Sequence, residues 1–439
     1  MPPLPYSKRE QRGWYMYDWA NSTFATTVVT LFLGPYLTAL AKAAAGPDGL
    51  IHPLGIPLDP RSWWSYLVSL SVMSQVVALP MIGTVADFSP RKKQLMALFA
   101  YAGALANVAM FFLKGDAYLA GGALFLISNL AFGASIVVYN SFLPDIAPPE
   151  DRDAVSSRGW GIGYLGGGLL LALNLALFAK SRALGLTEAM AVRINLASAG
   201  VWWALFTLIP LACLRNRLPG RVRGPGEGLT SSFRAFAVTL REMRHYPQTL
   251  RFLLAYLIYN DAVQTVIALA AQFGSDELKL PMSDLTMVIL MVQFVAFFGN
   301  LLFDRVAKWM GAKAAIIVSL LIWTGVLIAM YVSVRTRAQF FIAAAVVAIV
   351  LGGTQALSRS LFAQMIPKSR EGEYYSVYEI SDKGTSWLCP LLFGLALQFT
   401  GSYRLAILSL VTFFVGGLAV LATVNVRRAA MEAEAGAEA

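Results

Sequence analysis

Apolar residues in this chain gather into long runs separated by short polar breaks. A helix that crosses about 30 Å of hydrocarbon needs about 20 mostly apolar residues. Twelve such runs can be traced, at 14–41, 63–86, 94–113, 118–142, 157–180, 192–214, 249–273, 284–303, 313–334, 338–362, 374–399 and 402–424. The pattern predicts an all-α integral membrane protein with twelve transmembrane helices. A short basic, Pro-rich arm precedes the first run, which is long enough to stay as an anchor rather than leave as a signal peptide.

Composition narrows the class. The chain of 439 residues is 57% apolar and 14% charged. Soluble domains run at about 45–50% and about 25%. An ordinary soluble protein and a largely disordered chain are thereby excluded. Two cysteines, Cys213 and Cys389, both lie in apolar runs, so neither a disulfide scaffold nor a zinc site is indicated.

The net charge of +10 invites a nucleic-acid reading until the cations are placed. With the N-terminus on side one, 24 Lys and Arg fall on that side and 10 on the other, and Lys383 remains inside a run. This bias places both termini in the cytoplasm and accounts for the charge by topology, without nucleic acid. Two loops are long: 42–62 on the outer side and the basic 215–248 on the inner side. In the latter, Leu218 to Gly228 is rich in Gly, Pro and Arg and reads as a flexible linker. Phe233, Phe236, Leu240 and Met243 then recur at helical spacing among Arg234, Arg241 and Arg244. Two readings stand: an amphipathic helix on the membrane face, or a solvated helix that joins two bundles. The Ala/Glu-rich tail, 429–439, reads as disordered.

The chain is also written twice. Asp18, Asn21 and Ser22 match Asp261, Gln264 and Thr265 at an offset of 243. Each set puts a carboxylate, an amide at i+3 and a hydroxyl at i+4 on one helix face. Gly83 to Lys93, with Asp87, Arg91 and Lys92, faces Gly299 to Lys313, with Asp304, Arg305 and Lys308. Gly133 and Gly352 align at an offset of 219, as do Pro148 and Pro367. Two six-helix bundles follow, 1–214 and 249–428, joined by the 215–248 linker.

With these residues in view, the chain resembles the major facilitator superfamily. Gly83 to Lys93 is similar to that family's signature loop between its second and third helices, where Gly permits close packing and Asp with the cations can lock the inner face. The chain departs in having Phe88-Ser89-Pro90 where the superfamily more often has Arg and Gly. A narrower resemblance rests on Tyr17-Asp18-Trp19-Ala20-Asn21-Ser22, on Tyr139-Asn140-Ser141-Phe142-Leu143-Pro144, and on Arg158-Gly159-Trp160-Gly161-Ile162-Gly163-Tyr164-Leu165-Gly166-Gly167-Gly168. Gln355-Ala356-Leu357-Ser358-Arg359-Ser360 and Tyr259-Asn260-Asp261 extend it. These blocks resemble the vacuole-effluxer-like branch, whose fungal members export amino acids from the vacuole. The resemblance implies the two-bundle fold, a small polar solute, and, for a bacterial-type member, the cytoplasmic membrane.

Charges inside spans cost a few kcal/mol and are functional candidates by default. They are Asp18, Asp261, Glu379, Asp382 and Lys383. Asp18 also reads as an interfacial helix-start residue. Glu379 and Asp382 also read as structural partners of Lys383, the former with favourable i,i+4 geometry. Asn140, Asn260, Gln293 and Gln355, with Gln75, either line a pathway or bond a neighbouring helix. Gly159, Gly163 and Gly167 form a smooth ridge suited to close helix packing. Trp160 and Tyr164 beside it read as packing residues.

No Gly-x-x-x-x-Gly-Lys-Ser/Thr segment supports nucleotide-driven pumping. The expected function is a secondary transporter of a small solute, amino acids by resemblance, with alternating access driven by a proton or substrate gradient. It would be a lipid-embedded monomer without cofactor or metal. A non-transporting membrane sensor is the alternative. A membrane-embedded enzyme has less support, since His52 and His245 both fall outside the spans and nucleophile motifs are absent.

Overall fold

The computed structural model describes residues 6–148, 152–181, 183–217, 241, 243–366, 378 and 386–438. Helices account for its regular structure, and the one β-bridge among the described residues pairs Ile51 with Leu58 in the 42–62 loop. In chain order the long helices are α1 (Lys8–Ala43), α2 (Trp63–Phe88), α3 (Lys92–Ala109), α4 (Tyr118–Asn140), α5 (Arg152–Lys180) and α6 (Glu188–Cys213). They continue as α7 (Pro247–Asp276), α8 (Met282–Met310), α9 (Ala312–Val332), α10 (Arg337–Ala363), α11 (Leu388–Thr400), α12 (Tyr403–Ala422) and α13 (Val426–Glu438). Among the described residues eleven helices are long and apolar enough to cross a membrane, and α11 is a shorter apolar helix. It occupies the second half of the run at 374–399.

Helix ends follow local chemistry. Thr187 caps α6 by accepting from Met190 N–H, and Ser402 caps α12 by accepting from Leu405 N–H. Thr336 and Gln339 form a reciprocal capping box at α10. Gly311, at φ 88°, separates α8 from α9, and Gly401, at φ 67°, ends α11. Such closure matters in hydrocarbon, where water cannot satisfy the backbone. Between Phe24 and Phe32, α1 widens into a π-helix, and Leu33 N–H reaches back five residues to the Val28 carbonyl. The β-branched run Thr26-Thr27-Val28-Val29-Thr30 lies within it.

In the tail, residues 426–438 form α13. The Asn425 side chain accepts from Arg428 N–H, Arg428 pairs with Glu432 at 2.8 Å, and Ala429 and Ala433 are buried. Alanine's high helix propensity and these contacts outweigh the low hydrophobicity of the segment. Most of the 215–248 linker, including Phe233, Arg234, Phe236 and Leu240, lies outside the described residues.

Two compact units emerge, one within Met1–Pro60, Met73–Ser232 and Met282–Thr286, the other within Arg61–Val72, Phe233–Pro281 and Met287–Ala439. The grouping differs from the two sequence halves where α2 begins and where α8 begins. Inside the second unit Ser62 Oγ donates to the Gly394 carbonyl, Trp64 Nε1 to Ala268 and Ser69 Oγ to Trp387. In the first unit, Trp14 stacks on Tyr139 with centroids 4.2 Å apart and donates to its carbonyl. Glu10, 2% exposed, takes both Arg217 guanidinium nitrogens and Arg215 N–H, tying the start of α1 to the end of α6. In the second unit, Trp323 of α9 stacks on Phe414 of α12 at 5.3 Å.

Candidate functional site

The repeated Asp-x-x-amide-hydroxyl face is present in both units. In α1, Ser22 Oγ donates to the Asp18 carbonyl at 2.6 Å. In α7, Thr265 Oγ1 donates to the Asp261 carbonyl at 2.7 Å. Each hydroxyl is thus spent on its own helix four residues back, which leaves carboxylate and amide as the chemically open members.

Asp18 is half-buried, and its Oδ2 accepts from Tyr139 OH of α4 at 2.7 Å. The helix begins at Lys8, nearly three turns earlier, so Asp18 lies beyond the helix's first turn. Asn21 is 4% exposed, and its Nδ2 has no hydrogen-bond partner among the described residues. The glycine ridge of α5 runs along this face. A Cβ at Gly159 would lie 2.5 Å from Asp18 Oδ2, and one at Gly163 2.6 Å from Ser22 Oγ. A Cβ at Gly167 would crowd Thr26 at 3.1 Å. Gly166, which the spacing of four passes over, is as tight, with a Cβ 2.5 Å from the Trp19 carbonyl oxygen. Close packing of α5 on α1 is therefore what the ridge does. Its neighbours Trp160 and Tyr164 are 61% and 55% exposed in the chain by itself.

Asp261 is 1% exposed. Its Oδ2 accepts from Cys389 N–H at 2.9 Å, in the first turn of α11. That N–H is one of the donors a helix start leaves unpaired, and a carboxylate there is favoured by the helix dipole. The Cys389 thiol lies beside the carboxylate, yet Oδ1 has no hydrogen-bond partner among the described residues. Asn260 beside it is buried and Gln264 half-buried. Tyr259 OH and Ser358 Oγ of α10 lie 2.6 Å apart.

The remaining candidates are distributed. Gln293 and Gln355 are half-buried in α8 and α10, and Asn140 is exposed at the end of α4. Gln75 donates to the Asn129 carbonyl, which is the neighbour-bonding reading. Glu379, Asp382 and Lys383 lie outside the described residues, as do the side chains of Asp87 and Asp304. In the signature loop, Lys92 pairs with Asp145 at 3.3 Å and donates to the Ser141 carbonyl, while Arg91 and Arg305 are exposed. A Cβ at Gly83 would make only an ordinary 3.5 Å contact with Val137, whereas one at Gly299 would run into the Ile349 backbone of α10. The close approach thus belongs to the second copy of the motif.

Two residues escaped the sequence reading except as outer-side cations. Arg404, at the start of α12, pairs with Glu277 at 2.6 Å and donates to the carbonyls of Met330, Tyr331 and Val334 at the end of α9. Arg193, near the start of α6, donates to the Phe111 carbonyl beyond α3 and is 7% exposed. Both satisfy carbonyls that a helix end leaves orphaned. Their offset of 211 is the signal that would have found them.

No cluster of three or more metal-ligating side chains occurs among the described residues. Comparison with known proteins bears on the whole chain. The family model described as "Vacuole effluxer Atg22 like" matches residues 6–434. An uncharacterized MFS-type transporter, YxiO of Bacillus subtilis (strain 168), is 29% identical over 95% of both chains. Autophagy-related protein 22-1 of Penicillium rubens is 25% identical over 99% of this chain and 93% of its own. The crystal structure of a nucleoside transporter NupG mutant superposes with a TM-score of 0.68 over 94% of this chain and 98% of its own, at 15% identity, a likeness of fold alone. A twelve-run hydropathy pattern, a duplicated carboxylate face and these matches converge: the chain belongs to the Atg22-like vacuole effluxer family and is a multi-pass membrane protein with the major facilitator fold.

Proposed function

We propose that this transporter moves a small polar solute of the amino-acid class outward by alternating access, driven by protons. The observation that carries the reading is Asp261. A carboxylate inside a span costs a few kcal/mol, and this one is buried with one oxygen on a helix start and the other without a hydrogen-bond partner among the described residues. Asp18, half-buried on Tyr139 OH, holds the matching place in the first half. Such a group suits either a proton or the ammonium of an amino acid. Lys383 in the eleventh span would meet the substrate carboxylate, a role resting on sequence. The halves 1–214 and 249–428 would rock about the 215–248 linker. The cation bias supports cytoplasmic termini, and the Bacillus relative favours a bacterial cytoplasmic membrane; the working unit in this reading is a monomer without a resident cofactor.

The test is flux in proteoliposomes carrying the full chain. A labelled amino-acid mixture should move under an imposed proton gradient, and Asp261→Asn should cut gradient-driven flux about 100-fold while leaving counterflow in place. Absence of amino-acid flux in the wild type, or unchanged flux in Asp261→Asn, would overturn the proposal.

A further inference from the structure

Two stripes of α5 are exposed, and they differ along their length. Leu165 and Leu169 are exposed, and so are Ala172 and Ala176, seven residues beyond them. Trp160 and Tyr164 are exposed too, yet Gly167 and Leu171, seven residues beyond those, are buried. Seven residues make about two turns, so each compared pair shares a helix face. The first stripe is aliphatic and open throughout, as suits a surface against acyl chains. The second is aromatic, carries an indole N–H and a phenol O–H, and is open only toward the Arg152 end of the helix.

This second stripe adjoins a carboxylate. Asp18 lies against Gly159 and Gly163, the residues that precede Trp160 and Tyr164. Half-buried, it leaves part of its side chain open, and a carboxylate open to hydrocarbon costs a few kcal/mol. Its open part therefore faces water. The Trp160 and Tyr164 rings have centroids 6.3 Å apart and planes inclined at 45°. Two rings so placed leave points within about 6 Å of both centroids, the range over which an aromatic face attracts a cation. Arg158, two residues before Trp160, leaves the helix about 160° away and points from the far side.

We propose that Trp160 and Tyr164 form a cation–π subsite that receives the ammonium group of the solute beside Asp18. The assignment rests on the amino-acid class proposed for that solute. Charge complementarity selects the occupant. Asp18 alone would draw a metal ion as readily as an amine. Two ring faces beside it add apolar contact, which an ammonium on a hydrocarbon skeleton matches and a hydrated metal ion does not.

The experiment is isothermal titration calorimetry of the full chain in detergent with two probes, leucinamide and isocaproamide. They share a skeleton, and only the first carries an amine, which is protonated at about pH 6. The wild type should bind leucinamide at least about tenfold more tightly. Trp160→Leu and Tyr164→Leu should each lower that ratio by about two- to fivefold, and the double variant by about tenfold, with isocaproamide binding little changed. Trp160→Phe and Tyr164→Phe, which keep a ring face, should retain most of the ratio. Equal binding of the two probes by the wild type, binding of neither, or equal loss of both in the Leu variants would overturn the proposal. A ratio unchanged in the double variant would assign the charge recognition to Asp18 alone and overturn it as well. A melting curve within a few degrees of wild type qualifies each variant as folded, and the single variants carry the comparison if the double one melts early. Binding is read apart from flux, so the two readings fail separately. Selective binding without amino-acid transport would sink the transport reading alone, and transport with an unchanged ratio in the double variant would sink the subsite alone.

Discussion

Asp18 and Asp261 hold equivalent places in the duplicated sequence and are held in different ways. Asp18 is half-buried and receives a side-chain hydroxyl from Tyr139. Asp261 is sealed from solvent and receives a main-chain N–H at the first turn of α11. A hydroxyl can rotate away by itself. A helix N–H leaves only if the helix moves. Loss of charge at Asp18 is therefore answered by one side chain, and loss of charge at Asp261 by a segment of backbone. Their surroundings differ too. The glycine ridge of α5 presses on the Asp18 face, whereas Asp261 has the Cys389 thiol beside it.

Four substitutions and one control separate the sites, taken from the largest effect to the smallest. Gly166→Leu places a branched side chain where even a Cβ would be 2.5 Å from the Trp19 carbonyl oxygen. It should destabilise the first unit by about 3 kcal/mol. At the neighbouring Gly168 a Cβ meets nothing within 4 Å, so Gly168→Ala should be close to neutral in the same thermal melt. Next, Asp18→Asn should reduce gradient-driven flux by about tenfold, against the about 100-fold expected for Asp261→Asn. Equal losses in paired liposome assays would erase the distinction between the sites. Tyr139→Phe removes the donor on Asp18 and should cost about 1–2 kcal/mol in chemical or thermal unfolding. Apart from the Gly168→Ala control, the smallest effect belongs to Cys389→Ala. The backbone donor to Asp261 survives it, so stability should fall by only about 0.5–1.5 kcal/mol, the cost of deleting one small buried group, and a larger loss would mean that the thiol holds the carboxylate.

Most of the fold was legible because hydrocarbon imposes one rule on every span, a length of apolar residues, and the rule leaves its mark in the sequence. Runs such as 313–334 and 402–424 return as α9 and α12 nearly unchanged. The duplication was legible from Asp18 and Asp261, and from Gly133 and Gly352. A Cβ at Gly133 would meet Gln75 of α2, and one at Gly352 would meet Ala296 of α8, so the aligned pair marks equivalent crossings. What stayed hidden has a common physical character. The partner of Asp261 is a main-chain group, which no residue type records. Arg193 and Arg404 entered only a count of cations, because what they bind is again backbone carbonyl. Gly166 lies off the period of four and is tight because it faces the Trp19 backbone. The order of α13 depends on buried alanines, which read as unremarkable in an Ala/Glu tail.

The widened stretch of α1 between Phe24 and Phe32 has a consequence for length. Where backbone bonds reach five residues instead of four, more residues fit into the same rise. Removing one residue there would let the segment relax toward ordinary α-helix, with Asp18 below and Tyr36 above kept near their places. The same deletion in α9 or α12 would rotate every side chain beyond it by about a quarter of a turn. Residues 24–32 are thus the part of α1 best suited to absorb a one-residue difference between this chain and a relative.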